Sequence, residues 1–133
     1  MPTATGTFDV TLTLQPLSDG VADPMLARRA ISKVFHGDLD GTSAGEMLSA
    51  GTPTSGSAGY VAIERVVGTL HGRQGMFVLQ HSATMNRGTP SLSITVVPDS
   101  GSDQLAGLSG RFSIVIDKGH HSYTFDYTLA TPG

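Results

Sequence analysis

A single glutamate interrupts the apolar run GYVAIERVVG, and the face it occupies decides its chemistry. Among Tyr60, Ala62 and Val66, the Glu64 carboxyl would lose water and its pKa would rise toward the range that suits proton transfer. Facing outward, or paired with a base such as Arg73 or Lys33, it would stabilise the fold instead. Tyr60, Ala62, Glu64, Val66, Gly68 and Leu70 alternate with Val61, Ile63, Arg65, Val67 and Thr69. Both sets are largely apolar, so periodicity leaves the face of Glu64 open. His81 is better placed. It alternates in register with Phe77, Leu79, Ala83 and Met85, against the more polar Met76, Val78, Gln80, Ser82 and Thr84, and so points inward. In HSYTFDYTLA, His121, Tyr123, Phe125, Tyr127 and Leu129 share one face and Ser122, Thr124, Asp126 and Thr128 the other. Glu64 and His81 are therefore the candidate proton-transfer pair. Tyr60, Phe35, Phe77, His121, Tyr123 and Tyr127 are the candidate ligand contacts, able to stack on or hydrogen-bond a mostly apolar molecule.

Other chemistries find no support. The chain has no cysteine, which excludes thiol catalysis, disulfides and thiolate metal sites. No His-x-His or His-x-x-x-His spacing occurs, and adjacent His120 and His121 on a strand point to opposite faces, so no metal is expected. No phosphate-cradling loop, dinucleotide fingerprint or nucleophile elbow is present, so no cofactor is expected either. A formal charge of −3 argues against nucleic-acid binding, which needs a basic surface. No stretch approaches the roughly 20 apolar residues of a membrane helix, and MPTATGTFDV lacks the regions of a signal peptide. The expectation is a soluble, cytoplasmic protein.

The elements that must position these side chains are strands. The 133 residues are the size of one domain, and a charged fraction of 14% is too low for a disordered chain. Period-two alternation is clear in TFDVTLTL, where Phe8, Val10, Leu12 and Leu14 oppose Asp9, Thr11 and Thr13. The pattern predicts a strand from about Ala30 through Phe35 and Leu39, ending at an Asp40-Gly41 hairpin turn, with MLARRAIS readable as a short helix on propensity alone. Further strands fall in GTSAGEMLSAG, in SGSAGYVAIERVVGTLHGR with bends or bulges at Gly68 and Gly72, and in MFVLQHSATM after a turn over residues 72–75. SLSITVVP, GRFSIVID and HSYTFDYTLA complete the set. Ser102 is placed to cap a helical turn ended by Gly107, Lys118-Gly119 forms a hairpin turn, and residues 51–59 form a loop placed to cover one mouth. Eight short-looped strands favour an all-β fold, an antiparallel meander closed into a barrel, with a β-sandwich as the competitor.

Several segments together resemble a family of small bacterial domain-of-unknown-function proteins with an allene-oxide-cyclase-like barrel. These are SKVFHGDLDGTSAGEML, GYVAIERVVGTLHGRQGMFVLQH, VVPDSGSDQLAGLSG and HSYTFDY, spanning most of the chain from Ser32 to Tyr127. The chain departs from the family's glycine-serine-glycine-threonine run at Ser100-Gly101-Ser102-Asp103. The resemblance implies an eight-stranded closed barrel, oligomeric, with a lumen; it carries no settled activity. Three functions fit such a barrel. One is lipocalin-like binding of a small apolar or amphipathic molecule. The second is an isomerase or cyclase using Glu64 and His81. The third is an oligomeric structural barrel with a plugged lumen. Val61, Ile63 and Val67, with Ile114 or Ile116, would form an outward apolar stripe if Glu64 faces inward, predicting a homodimer or larger assembly.

Overall fold

The computed structural model describes residues 2–130. Eight antiparallel strands run in chain order around a closed barrel: β1 (Thr3–Gln15), β2 (Leu26–Gly37), β3 (Leu39–Gly51), β4 (Ala58–Leu70), β5 (Arg73–Asn86), β6 (Thr89–Val96), β7 (Ser109–Asp117) and β8 (His120–Thr128). A three-residue 3-10 turn, Asp103–Leu105, is the helical content of the described residues. Among those residues no helix is long and apolar enough to cross a membrane. The β-branched and aromatic content of MLARRAISKVF favours an extended chain, and β2 begins at Leu26.

The hairpins follow from residues that tolerate a left-handed backbone. His71-Gly72, Arg87-Gly88 and Lys118-Gly119 each place both residues at positive φ, the geometry whose twist matches that of the flanking strands. The turn expected over residues 72–75 therefore lies at His71-Gly72, and Arg73 already belongs to β5. The turn expected at Asp40-Gly41 lies instead at Gly37-Asp38, where Gly37 takes φ 107°. Gly41 is needed for a different reason. It aligns with Gly68, and Gly68 with Gly75, across β3, β4 and β5. A Cβ at Gly41 would lie 2.2 Å from the Val67 carbonyl oxygen, so the three glycines let the strands approach closely at a barrel corner. Gly68 keeps the ladder in register and forms no bulge.

One end of the barrel is filled. Phe35, Phe77, Phe112, Phe125, Tyr123 and Tyr127 pack there with Leu39, Val66, Leu70 and Leu79. Phe125 stacks on Phe112 at 4.2 Å between centroids and on Phe77 at 5.9 Å. Leu105 and Leu108 of the β6–β7 connection close this end. The same connection takes the place of a strand along the lower edge of β5. Ser102 N–H donates to the Met76 carbonyl, Gln74 N–H to Gln104 Oε1 and Val78 N–H to Ser100 Oγ, at 2.8–3.0 Å. Ser102 stands at the N-terminus of the 3-10 turn, but its hydroxyl makes no cap; it reaches the Asp103 side chain. Gly107 follows at φ 80°.

The opposite end is open. β6 and β7 pair only at Ile94–Phe112 and Thr95–Arg111 among the described residues. Above those pairs the two strands separate. The loop between β3 and β4 does not stand alone at this rim, because Gly88 N–H donates to the Gly56 carbonyl and Arg87 N–H to Ser57 Oγ, tying it to the β5–β6 turn.

Candidate functional site

Alternation along β2 sends Arg29, Ile31, Lys33 and Phe35 into the barrel, and register pairs Lys33 with Ser43 on β3. Glu64 on β4 also points inward and is fully buried. Its register partner is Gly45, where a Cβ would lie 2.8 Å from the Glu64 Cβ. The missing side chain lets β3 lie close against the backbone and Cβ of Glu64. Lys33 Nζ lies 3.1 Å from both Glu64 oxygens, and Ser43 Oγ donates to Oε2 at 3.3 Å. The same ammonium sits 5.1 Å from the Phe8 ring centroid and 5.9 Å from that of Phe35, within cation–π range.

His81 completes the cluster from β5. Its Nε2 lies 3.3 Å from Glu64 Oε1, off the line of a good hydrogen bond, and its Nδ1 lies 3.3 Å from the Tyr60 hydroxyl. A lone pair at Nε2 would face a carboxylate, so the tautomer that suits these contacts has its N–H at Nε2 and accepts from Tyr60 at Nδ1. Burial alone would raise the Glu64 pKa. The contacts to His81 and Lys33 outweigh burial and hold it below its ordinary value, so the carboxylate stays charged. Burial, then the charge of Glu64, pushes the Tyr60 phenol upward. Glu64, His81, Lys33 and Tyr60 thus form a continuous chain of polar contacts from the buried interior to a half-buried phenol.

The structure brings together the expected Glu64, His81 and Tyr60. Of the two bases weighed for Glu64, Lys33 is the partner; Arg73 begins β5 at the filled end. Phe35 and Phe77 lie inside the packed aromatic core, 2% and 1% exposed. Tyr123 is also buried there. Its hydroxyl accepts from Leu39 N–H at 2.9 Å and lies 3.1 Å from the His36 and Leu39 carbonyls, pinning the β2–β3 turn. Tyr127 bonds through its hydroxyl to His71 Nδ1, and His71 Nε2 stands 3.5 Å from Asp38. His121 is half-buried near the open end, its ring 5.1 Å from that of Phe8. Ser43, Ser49 and Arg29 are inward polar residues that reasoning from sequence passed over. The alternation of ARRAISKVF carried the signal for Arg29. Among the described residues, no group of three or more His, Asp or Glu side chains is arranged to hold a metal.

The walls above this cluster are apolar. Leu12 and Leu14 of β1, Met85 of β5, Leu92 of β6 and Ile116 of β7 occupy the inward-facing register of their strands. Their exposures nevertheless run from 43% at Met85 to 68% at Leu14. Ile114 shares that inner face and packs against the core, so β7 adds neither isoleucine to the outer stripe. The stripe itself is present on β3 and β4, where Leu48, Val61, Ile63 and Val67 are 41–53% exposed.

Fold and site together define a small meander barrel, plugged at one end and open at the other, with a buried ion cluster between. A family model described as "Protein of unknown function (DUF3224)" matches residues 4–127, and the chain belongs to that family. A solved structure of a DUF3224 protein of unknown function from Shewanella oneidensis MR-1 is similar throughout. It is 49% identical, covers 99% of both chains and has a TM-score of 0.93. No curated protein matches the chain.

Proposed function

We propose that the open half of the barrel binds a small apolar or amphipathic molecule. The observation that carries this reading is the row of inward-register apolar side chains, Leu12, Leu14, Met85, Leu92 and Ile116, left exposed above a buried polar floor. Apolar surface inside a concavity is surface that a ligand can remove from water. The Phe35–Phe77–Phe125 plug limits the site to this half. Binding is tested with a naphthalene-based fluorescent probe. Leu12→Glu should weaken it about tenfold or more by setting a carboxylate into the apolar wall. Val61→Glu, on the outer face, should leave it unchanged. Undiminished binding to Leu12→Glu sinks the reading.

A second reading, an isomerase or cyclase acting in the same space, is favoured by the Tyr60–His81–Glu64 line of contacts. Glu64 is too buried to touch a ligand, so Tyr60 would exchange the proton, His81 would relay it and Glu64 would orient the imidazole.

The outer stripe supports self-association. Leu48, Val61 and Ile63 line a shallow groove of about 540 Å³ beside the Arg28–Glu46 ion pair, whose separation is 3.0 Å. A homodimer burying this face would account for its exposure. Light scattering at micromolar concentration should give more than the monomer mass, and Ile63→Asp should return it to the monomer. A monomeric parent protein overturns this assembly.

A further inference from the structure

Two consecutive arginines on β2 meet opposite fates. Arg28 points outward, where its Nε lies 3.0 Å from Glu46 and its Nη1 donates to the Pro16 carbonyl. Arg29 points inward, into the open half of the barrel. Its partner is a neutral hydroxyl: Nη1 donates to Ser49 Oγ at 3.3 Å. Among the described residues no carboxylate stands within ion-pair distance of it, and the one nearby buried acid, Glu64, is already held by Lys33 and His81. Arg29 is cross-strand neighbour to Leu14 and Met47, so the guanidinium lies in an otherwise apolar wall.

A half-buried guanidinium keeps its charge at all physiological pH and carries five donors in a planar fork. One bond to a serine leaves most of those donors free. We infer that Arg29 is the head-group site of the cup and that the ligand is an amphipathic carboxylate, its acid group on Arg29 and Ser49 and its apolar body against Leu12, Met85 and Leu92. This assignment rests on the binding reading above and narrows it to one ligand class. The fork matches the two oxygens of a carboxylate. Ser49 adds a second donor, because its oxygen accepts from Arg29 while its own hydrogen is free to turn toward the acid. The Lys33–Glu64 pair beneath is neutral as a unit and neither supplies nor opposes the anion.

The test compares naphthoate with naphthylmethanol, which share an aromatic body and differ in charge. Isothermal titration at neutral pH should find naphthoate tighter by about tenfold or more, with the advantage shrinking as salt is raised. In Arg29→Gln the preference should vanish while naphthylmethanol binds as before; Arg29→Lys should restore part of it. Arg65→Gln, which removes an outer-face arginine, should change neither probe. Equal affinity for the two probes in the parent protein overturns the carboxylate assignment and leaves the apolar cup standing. A preference that survives Arg29→Gln overturns the role of Arg29. If neither probe binds, the cup itself fails, and this inference fails with it. Should Arg29→Gln not fold, naphthoate-dependent shifts of the arginine side-chain NMR signals in the parent protein decide the point. Movement of the Arg29 signal with naphthoate but not with naphthylmethanol is required.

Discussion

Replacing Lys33 by methionine is expected to lower stability by about 3–5 kcal/mol, the cost of leaving a buried carboxylate without its counter-ion. Glu64 has no solvent exposure from which to recover that loss, and Ser43 and His81 are its remaining polar neighbours. A urea or thermal denaturation series measures it. Adding Glu64→Gln to Lys33→Met removes the stranded charge and should recover most of the difference. Glu64→Gln alone should be the milder lesion, since it keeps the shape but leaves the ammonium of Lys33 above Phe8 and Phe35. The pH dependence has a definite sign. Glu64 is held below its ordinary value of 4.5 in the folded state. Its contribution is therefore complete above that value in the parent protein and is lost as pH falls through the lower folded pKa. In Lys33→Met the carboxyl can accept a proton in acid, so the deficit should narrow as pH drops. A deficit under about 1 kcal/mol at neutral pH would mean the pair adds no more than an exposed salt bridge.

Phe125→Ala should cost a comparable amount, about 3–5 kcal/mol, for a different reason. The ring is fully buried and touches Phe112, Phe77 and Tyr127, with centroids at 4.2, 5.9 and 5.2 Å. Close-packed aromatics on a barrel wall cannot collapse into the gap without moving the strands that carry them, so a cavity remains. Because this residue belongs to the plugged half, the variant should keep the parent protein's affinity for an apolar probe in the open half once folded. Denaturation and probe titration on the same sample separate the two effects. Loss of probe binding in a folded Phe125→Ala protein would show that plug and cup are one connected site.

Strand faces were legible wherever one face was polar. The Ser-Thr-Asp side of β8 and the Thr-rich side of β1 oriented those strands from composition alone. On β4 both faces are apolar, and only the structure decides that Glu64 is inside. Its partner was still readable as chemistry, since a buried carboxylate needs a base and Lys33 stands two residues from an inward phenylalanine. Turn positions were less legible because glycine serves two purposes in this chain. Gly72 and Gly119 occupy left-handed turns, whereas Gly41 and Gly45 clear space inside extended strands, and a sequence writes both with the same letter. The division of the lumen into plug and cup was not legible. It depends on where strands end relative to one another, which register sets and alternation does not reveal.

The short seam between β6 and β7 bears on how the molecule breathes. β7 and β8 pair along their whole length, and β8 joins β1 from His121–Phe8 down to Asp126–Thr3. Among the described residues, only Ile94–Phe112 and Thr95–Arg111 join that hairpin to β6. The barrel is thus a curved six-stranded sheet whose first strand carries the C-terminal hairpin as a flap. Local opening follows the line with the fewest ladder hydrogen bonds to break. Parting at this seam would draw β7 away from β6 and Phe125 off Phe77 while β8 stays paired with β1, with the 97–108 connection as the tether. Such a parting would widen the open half sideways and would leave the Lys33–Glu64–His81 cluster, carried wholly by β2, β4 and β5, in place.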